Sequence, residues 1–310
     1  MGSLRLKREK IVTKILTVSS ANMDFVMDTP KVPVAGESLI CDGGYKYVPG
    51  GKGANSAVAV ARLGGESVFC TAVGCDANGD ALVSLYESEK IDTRYIGRVA
   101  DAPTGLAAIM VEPDGKNRII IYPGANRKIA DASVDKALTE RPDALFMQLE
   151  TSPETVVHAA NKAFELGVPV VIDAGPADVA FPLESLPFIE IFSPNETETE
   201  IFTGIKPVDA ETCEAAIEVL KKRVSAKYYC IKLGEKGCYV DGEIIPSIKV
   251  KAVDTTAAGD TFTAALALEY FGGADIKVAA RFACAAAAVA VSRHGASSSI
   301  PTRAEAEALL

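Results

Sequence analysis

The feature that most constrains the fold of this chain is the regular alternation of short apolar runs with helical patterns. Six runs have the length of buried strands, and they cover residues 14–18, 68–73, 144–149, 168–172, 189–193 and 228–233. Segments with helical spacing lie among them, at residues 54–63, 81–89, 153–166, 196–202, 211–223, 261–271 and 276–292. Because parallel strands need crossover connections, the alternation predicts an α/β fold with a doubly wound, mostly parallel sheet flanked by helices.

Two segments interrupt this alternation, at residues 23–48 and 104–122. Turns rich in Pro and Gly separate short alternating runs there, such as residues 106–111 and 118–122, and such runs predict hairpin-like strands. We expect the two segments to form a small separate β-sheet over the edge of the main one. A lid over an active site and an ordinary surface excursion are equally compatible with this pattern.

The predicted organisation is a single α/β domain over residues 14–310, with both lid segments inserted in it. A basic leader, residues 1–13, precedes the domain. It lacks the long apolar segment of a signal peptide, and we expect it to be disordered.

Composition limits the classes of function. A net charge of −9 repels nucleic acids and anionic membrane surfaces, so neither is an expected partner. No uninterrupted apolar run reaches the ~18 residues of a membrane span. The 7 cysteines are scattered and never spaced as C-x-x-C, which argues against a disulfide framework and a zinc site and favours the reducing cytoplasm.

The segment VDTTAAGDTF, residues 253–262, places small residues and a carboxylate at a predicted helix start. An anion can approach the N–H groups of residues 257–259 closely, and the helix dipole favours negative charge there. Asp260 lies beside this position and is suited to accept the proton of an attacking hydroxyl group. The alternative is an ordinary helix cap formed by Asp260 or Thr261.

A second glycine-rich turn, PGGKGAN at residues 49–55, enters a predicted helix but matches neither a Walker A loop nor G-x-G-x-x-G. Gly51 and Gly53 let the backbone approach a ligand closely, while Lys52 and Asn55 offer donors suited to hydroxyl groups. A plain glycine-rich turn explains the same residues.

Polar residues also follow predicted strands. Asn22 and Asp24 come after the first run, and Glu150 follows residues 144–149. Ligands of open α/β sheets bind at the carboxyl ends of strands, and carboxylates and amides there can hold vicinal hydroxyl groups. Each residue taken alone fits a turn or a cap equally well.

Two further turns lie at strand ends. In SPNETE, residues 193–198, Asn195 and Glu198 are three residues apart, and they suit either hydrated Mg²⁺ or a helix-capping arrangement. In KLGEKG, residues 232–237, two glycines permit a tight turn against which a nucleotide can lie, although an ordinary hairpin or βα turn has the same composition.

Taken in order, GGKGAN at 50–55, NETE at 195–198 and DTTAAGD at 254–260 resemble the ribokinase-like (PfkB-type) carbohydrate kinases, and the match runs from residue 22 to residue 301. Within that family the segments SANMD, PGGKGAN, PTG, GAN, MQLE and RHGASSSIP are most similar to those of the ribokinases. The resemblance implies transfer of a phosphoryl group from ATP to the exocyclic hydroxymethyl group of a sugar, which is the 5-hydroxyl for ribose.

The resemblance also implies roles for individual residues. Asp260 is the implied base, and the implied anion hole is formed by the N–H groups of Ala257, Ala258 and Gly259. The sugar is held by Asn22, Asp24, Gly51, Lys52, Asn55 and Glu150, under an apolar cover of Ala107, Ile109 and Ile121. The nucleotide side comprises Asn195, Lys232, Leu233, Gly234, Glu235, Lys236, Gly237, Ala258, Gly259 and Cys284.

For metal ions, the resemblance implies Mg²⁺, served indirectly by Glu198, and a monovalent cation such as K⁺. The implied residues around K⁺ are Asp254, Thr256, Ala290, Arg293, Gly295 and Ser299. It further implies a homodimer formed through the lid. Two departures lie on the nucleotide side: Lys232 stands where ribokinases often have Thr, and Cys284 where some have His.

Other functions stay open at this level. A kinase of the same fold for a nucleoside, fructose or 2-keto-3-deoxygluconate is the nearest alternative, because apolar lid residues discriminate weakly between sugars. A non-catalytic sensor of sugars or nucleotides is the alternative from another class. The intact Asp260 argues against a sensor, which has no need of a base.

Overall fold

The structure is a computed structural model that describes residues 12–310. Most of the leader predicted to be disordered therefore lies outside the described residues. Thr13 is buried, and its carbonyl accepts a hydrogen bond of 2.9 Å from the N–H of Glu66. The described part of the domain thus begins slightly before the predicted boundary at residue 14.

Fourteen strands lie within residues 12–310. They are β1 (Lys14–Val18), β2 (Asn22–Asp28), β3 (Tyr45–Gly50), β4 (Glu66–Gly74), β5 (Asp92–Val99), β6 (Gly105–Val111), β7 (Asn117–Tyr122), β8 (Ala144–Gln148), β9 (Val170–Asp173), β10 (Ile189–Ser193), β11 (Ala226–Tyr229), β12 (Ile231–Lys232), β13 (Cys238–Val240) and β14 (Glu243–Ile245). The described helices are α1 (Lys52–Arg62), α2 (Ala77–Ser88), α3 (Asp131–Leu138), α4 (Pro153–Glu165), α5 (Glu196–Thr203), α6 (Ala210–Leu220), α7 (Ala258–Phe271), α8 (Ile276–Val291) and α9 (Arg303–Glu307).

The main sheet has seven strands in the order β11-β10-β9-β8-β1-β4-β5, and every pair in it is parallel. Neighbouring residues of β1 face opposite layers, since Ile15 packs with α1, α7 and α8 while Leu16 packs with α3 and α4. A strand buried on both faces reads as a continuous apolar run. The predicted doubly wound fold is confirmed.

One strand prediction is wrong, and one strand of the main sheet was not predicted. Residues 228–233 do not form one strand, because the chain leaves the main sheet after Tyr229, and β12 pairs antiparallel with β13 in a separate three-stranded sheet. Strand β5 was missed, since its sequence DTRYIGRV is polar enough to suit its half-exposed position at the sheet edge.

Several helices begin earlier than predicted. Helix α1 begins at Lys52 rather than residue 54, α2 at Ala77 rather than 81, and α7 at Ala258 rather than 261. Their first turns consist of small or polar residues that face a ligand edge or solvent, so the apolar pattern starts only in the second turn. Helices α3 and α9 are short and were not predicted.

The predicted small sheet is present and has four strands in the order β3-β2-β6-β7. Strand β2 pairs antiparallel with β3 and parallel with β6, and β6 pairs antiparallel with β7. We call these four strands the lid. Residues 29–44, inside the first predicted lid segment, contain no strand.

Within the described part of the chain, no helix combines the length and the apolar character needed to cross a bilayer. Each of the seven cysteines is a free thiol, and five of them are buried.

Candidate active site

The candidate site lies at the carboxyl edge of the main sheet, where β1 and β8 are neighbours in space although they are distant in sequence. The strand order reverses here, because the chain first adds β4 and β5 on one side of β1 and later adds β8 to β11 on the other. Open α/β sheets bind ligands in the crevice at such a switch point.

Helix α7 presents its open N-terminus to this crevice. Its N-cap residue, Ala257, has a left-handed backbone with φ of 60°, and no side chain caps the helix. The alternative interpretation of Asp260 or Thr261 as an ordinary cap is therefore wrong. Asp260 lies in the first turn and is only 4% exposed.

The start of α7 presents backbone N–H groups as hydrogen-bond donors. No hydrogen bond among residues 12–310 uses the N–H groups of Ala257 or Gly259. The N–H of Ala258 donates to the carbonyl of Thr255 over 3.3 Å, which is a long bond. Two of the three predicted anion-hole donors are thus free, and the third is weakly engaged.

The glycine-rich turn and α1 hold the Asp260 carboxylate. Its Oδ2 accepts a hydrogen bond of 2.8 Å from Nδ2 of Asn55, and its Oδ1 lies 3.6 Å from Nζ of Lys52. The negative charge of Asp260, together with that of other carboxylates nearby, outweighs burial and raises the pKa of Lys52 above its usual range. Lys52 therefore carries its charge at any physiological pH.

Close approach explains the glycine before Lys52. Gly51 has φ of 92°, and a Cβ there would lie 2.8 Å from the backbone nitrogen of Asn22. The turn thus brings the N-terminus of α1 against the start of β2, and Oε2 of Glu150 accepts hydrogen bonds from the N–H of Lys52 (2.9 Å) and from the Ser20 hydroxyl. The predicted sugar residues of three chain segments meet here.

Asp24 lies at the same place on β2 and is half-buried. Burial, followed by the charge of Glu150, raises the pKa of Asp24 to about 7. None of the hydrogen bonds found in the described chain uses its carboxylate, which leaves both oxygens available to hydroxyl donors. The site therefore contains a carboxylate whose charge changes near neutral pH.

The lid presents predicted cover residues next to Asp24. Ala107 pairs directly with Asp24 across β2 and β6, and Ile121 pairs with Ala107 across β6 and β7. Paired residues share one face of a sheet, and Ile109 lies on that face two residues beyond Ala107. The three apolar side chains thus line one lid face, where Ile121 is 47% exposed.

A cavity of about 870 Å³ extends from the start of α7 toward α8 and contains most of the predicted nucleotide residues. Those that line it are Lys232, Gly234, Glu235, Lys236, Gly237, Ala258, Gly259 and Cys284. Leu233 is not among them, because its side chain packs with Ile231 and Tyr239 in a separate apolar cluster. The volume of the cavity is in the range of small-molecule binding sites.

A smaller cavity of about 170 Å³ joins this region to Asp260 and is lined by Lys52, Asp173, Asn195, Glu196, Glu198, Lys232, Gly234, Gly259 and Asp260. Lys232, the departure noted in the sequence, lies 2.7 Å from Oδ2 of Asp173 and donates to the carbonyl of Ser193 over 3.0 Å. The ammonium group is thus fixed at the bottom of the cavity by a buried carboxylate.

Asn195 and Glu198 form the capping box of α5, which is the helix-capping arrangement that their sequence spacing also predicted. The Asn195 side chain accepts from the N–H of Glu198, and Oε2 of Glu198 accepts from the N–H of Asn195, each over 2.8 Å. Burial raises the pKa of Glu198 although Lys232 acts in the opposite direction. Capping does not remove the Glu198 carboxylate from the lining of the small cavity, so the capping box is confirmed and the Mg²⁺ interpretation stays a prediction.

The segment predicted to hold a monovalent cation lies behind the anion-hole residues. Oδ1 of Asp254 accepts from the N–H of Thr256 (2.9 Å), and Oδ2 accepts from the N–H of Gly295 (2.9 Å). Although burial acts to raise the pKa of Asp254, the hydrogen bond from the Thr256 hydroxyl and the two N–H bonds outweigh it and hold the pKa below its usual value. The Asp254 carboxylate thus links the segment around Thr256 to the loop that contains Gly295. Near the second loop, Arg293 pairs with Glu305, Ser299 is fully buried, and the carbonyl of Ala290 accepts from the N–H of Arg293.

Sequence reasoning missed several residues of these cavities. Asp173 ends β9, and the rule that identified Glu150 at a strand end would have found it. No site role was predicted for the remaining lining residues, which are Glu196, Ser247, Ile248, Lys249, Val250, Ala252, Thr255, Phe262, Ala287, Ala288 and Val291.

Comparison with known proteins agrees with this geometry. The chain is 39% identical over 299 residues to the ribokinase of Haemophilus influenzae, with 94% of this chain and 97% of that protein covered. It is 34% identical over 295 residues to the deoxyribokinase of Salmonella typhi, covering 93% of this chain and 95% of that protein. The structure of Arabidopsis thaliana ribokinase complexed with ribose and ATP superposes with a TM-score of 0.88 at 32% identity, over 96% of this chain and 99% of that one.

Residues 12–303 match the sequence profile described as the pfkB family of carbohydrate kinases, which spans both cavities, the lid and the helix start at Asp260. The chain belongs to the pfkB carbohydrate kinase family.

Proposed function

We propose that the protein is an ATP-dependent sugar kinase that phosphorylates the 5-hydroxyl of ribose to give ribose 5-phosphate. The observation that carries the proposal is the position of Asp260, which lies beside free backbone N–H groups and between a polar sugar side and the large cavity. The ribokinases of Haemophilus influenzae and Arabidopsis thaliana, the latter complexed with ribose and ATP, support ribose as the acceptor.

In the proposed reaction, Asp260 accepts the proton of the 5-hydroxyl while the oxygen attacks the γ-phosphorus of ATP and the bond to the β-phosphate oxygen breaks. The N–H groups of Ala257, Ala258 and Gly259 receive the charge that develops on the γ-phosphoryl group, an effect typically worth ~3 kcal/mol per donor. The Lys52 ammonium group, 3.6 Å from Asp260, steadies both the base and the transferred group.

We assign the sugar to the edge formed by Asn22, Asp24, Gly51, Asn55 and Glu150. Carboxylate oxygens there accept hydrogen bonds from sugar hydroxyls, and amide and ammonium groups donate to them. Ala107, Ile109 and Ile121 cover the apolar face of the sugar from the lid. The nucleotide occupies the large cavity, with its phosphates directed along the small cavity past Asn195, Lys232 and Gly234 to the anion hole.

Magnesium fits the small cavity. Glu198, Glu196 and Asp173 line it, although within residues 12–310 no three His, Cys, Asp or Glu side chains group closely enough to hold a metal on their own. Mg²⁺ usually keeps several waters and takes few protein ligands besides phosphate oxygens. We infer that Glu198 would hold it through water, and that the ion would neutralise phosphate charge.

A monovalent cation fits the region behind the anion hole. Asp254 would supply a charged oxygen, and backbone carbonyls at the end of α8 and in the neighbouring loops would supply neutral ones, at Thr256, Ala290, Arg293, Gly295 and Ser299; oxygen donors of this kind suit K⁺. Such an ion would supply no chemistry of its own. It would fix the segment that carries the free N–H groups.

We further propose a homodimer through the lid and a cytoplasmic location. The outer lid face, opposite the sugar, is apolar and accessible, with Tyr45, Tyr47 and Ile120 exposed by 69%, 56% and 65%. Apolar patches of this kind mark protein interfaces. The seven free thiols suit a reducing compartment.

The test is ADP release with ATP, Mg²⁺ and K⁺ over ribose, deoxyribose, fructose, 2-keto-3-deoxygluconate and nucleosides. We expect ribose to give the highest kcat/KM. A nucleoside that exceeds ribose by about tenfold would overturn the ribose assignment, and absence of turnover on every compound would favour a non-catalytic sensor.

The role of Asp260 is tested by D260N, which keeps the size of the side chain but cannot accept a proton. We expect kcat to fall by roughly 10³, while KM values for sugar and ATP change only a few fold. Isothermal titration with ribose separates lost chemistry from lost binding. Turnover within a few fold of the unsubstituted protein would remove Asp260 from the role of base.

A further inference from the structure

Asn126 lies where the last lid strand returns to the main domain, and its side chain is almost completely buried, with 1% exposed. Its Oδ1 accepts a hydrogen bond of 2.9 Å from the N–H of Ala21, and its Nδ2 donates to Oδ1 of Asn22 over 2.7 Å. Nothing in the proposed reaction uses Asn126 itself. It nevertheless contacts the first of the proposed sugar residues.

The direction of both hydrogen bonds is fixed by the backbone. An N–H group can only donate, so the atom of Asn126 that faces Ala21 must be the oxygen. The other end of the Asn126 amide is then a donor, and the Asn22 atom that faces it must also be oxygen. This leaves the NH₂ group of Asn22 on the opposite side.

That NH₂ group is available to a ligand. No hydrogen bond within the described chain uses Nδ2 of Asn22, although Asn22 is only 2% exposed, so this nearly buried side chain keeps a donor without a protein partner. Asn22 and Asp24 are two residues apart on β2 and share one face of the strand. The free donors of Asn22 and the free acceptors of Asp24 thus lie side by side.

A glycine residue of the lid leaves space for the hydrogen bond between Asn126 and Asn22. Asn22 pairs with Gly50 on one side and with Gly105 on the other, so the lid strands converge at this residue. A Cβ at Gly105 would clash with both Nδ2 of Asn126 and Oδ1 of Asn22. Only glycine leaves room for the two amides to meet here.

We infer that Asn126 is a positioning residue for sugar recognition: it fixes the Asn22 amide so that its NH₂ group donates to an oxygen of the bound sugar. The inference rests on the proposed sugar kinase function and adds a residue that acts only through Asn22. Without Asn126, the Asn22 amide can rotate and present its oxygen to a site that already contains two carboxylates.

The sharpest variant is N126D. A carboxylate still accepts from the N–H of Ala21 but cannot donate to Asn22, whose amide is then expected to turn and donate to it. We expect KM for ribose to rise about tenfold, the equivalent of ~1.4 kcal/mol, while KM for ATP changes less than about twofold. N126A, which removes both bonds, should give the same pattern with lower thermal stability. N161D makes the same exchange on the exposed surface of α4 and should behave as the unsubstituted protein.

A double-mutant cycle tests whether Asn126 acts through Asn22. If it does, N126D raises KM for ribose strongly in the unsubstituted protein and by less than about twofold in an N22A background. Equal effects in both backgrounds, or an unchanged KM in N126D alone, would refute the inference while leaving the kinase proposal intact. If the unsubstituted protein turns over no sugar at all, the proposed function fails first and the inference falls with it.

Discussion

Asp24 shows how a single residue links the fold to the pH dependence of the proposed reaction. The strand that carries it is part of the lid, yet its carboxylate is half-buried beside the carboxylate of Glu150. Both surroundings disfavour the ionised form and raise the pKa of Asp24 to about 7. The ionised form accepts hydrogen bonds from sugar hydroxyls through both oxygens and more strongly than the protonated form, which keeps only part of its acceptor capacity.

We therefore predict that kcat/KM for ribose rises about tenfold between pH ~6 and pH ~8, because the ionised fraction of Asp24 rises by that factor around a pKa of about 7. The pH profile of kcat/KM measures this directly. In D24N the inflection should disappear and KM for ribose should be higher throughout. An inflection near pH 7 that persists in D24N would show that another group titrates.

The raised pKa of Asp24 affects stability in the opposite direction: kcat/KM is expected to rise with pH, whereas stability is expected to fall. The folded protein binds the Asp24 proton more tightly than the unfolded chain, whose pKa is near the ordinary value of 3.8. The free energy of unfolding contributed by this group therefore decreases as the pH rises from about 4 to about 7. Binding of sugar, which favours the ionised form, should release a proton at neutral pH.

At the scale of elements, the start of α7 combines an open helix terminus with a strained backbone. Ala257 adopts φ of 60°, a conformation that costs a residue with a Cβ ~1 to 2 kcal/mol. Glycine would adopt it freely but would lose more entropy on folding, by ~0.4 to 1 kcal/mol. The strain that glycine would relieve at residue 257 slightly exceeds the entropy that it would lose, so glycine is favoured there.

We predict that A257G raises the free energy of unfolding by ~0.5 kcal/mol, as measured by urea denaturation. Lys90 has nearly the same backbone angle, φ of 61°, on an exposed turn far from the site, and K90G is the matched control. Both variants should gain similar stability. A loss of stability in A257G alone would show that the Ala257 methyl group makes packing contacts that outweigh the strain.

The outer face of the lid is the element on which the proposed dimer depends. Phe25, Tyr45 and Tyr47 form an aromatic cluster there, with ring centroids 5.3 to 6.3 Å apart. Ile120 lies on the same face, because it pairs with Ala108, which in turn pairs with Phe25. Strand β7 is also an unpaired edge, which a second lid can cover.

We predict that I120D converts the protein from a dimer to a monomer in sedimentation velocity experiments, since a buried unpaired charge at an interface is strongly unfavourable. The side chain points away from the sugar face, so direct contacts with ribose should be unaffected. V278D introduces the same charge at another exposed apolar position, on α8, and should leave the assembly unchanged. A monomeric unsubstituted protein would contradict the dimer proposal directly.

At the scale of the whole molecule, the sequence predicts the main sheet well because its inner strands are buried on both faces. Runs such as residues 144–149 contain a single polar residue, Gln148, and the structure places the corresponding β8 in the centre of the sheet. The edge strand β5, DTRYIGRV, is mostly polar and has neither a continuous apolar run nor a regular alternation, so it escaped detection. Local patterns likewise could not show that the chain leaves the main sheet after Tyr229, since this depends on pairing with β13.

Residue chemistry alone singled out Asp260, Lys52 and Asn55, and the structure brings these three side chains together, while their roles stay predictions. The resemblance to known kinases added the lid residues and the cation loop, which no pattern in this chain indicates. What neither source could supply are contacts between distant segments. The ion pair of Lys232 with Asp173 and the bond of Asn126 with Asn22 join residues whose proximity exists only in the folded protein.

The order of the elements along the chain has a consequence for synthesis on the ribosome. All seven strands of the main sheet are complete at Tyr229, whereas α7 begins at Ala258 and carries the proposed base. Strands and lid therefore leave the ribosome before α7 and α8, and the face of the sheet that these two helices cover in the finished protein, including Ile15 and Phe146, is still exposed at that stage. We expect a chain that stops before Ala258 to transfer no phosphoryl group, because it lacks the proposed base Asp260 and still has half of the core uncovered.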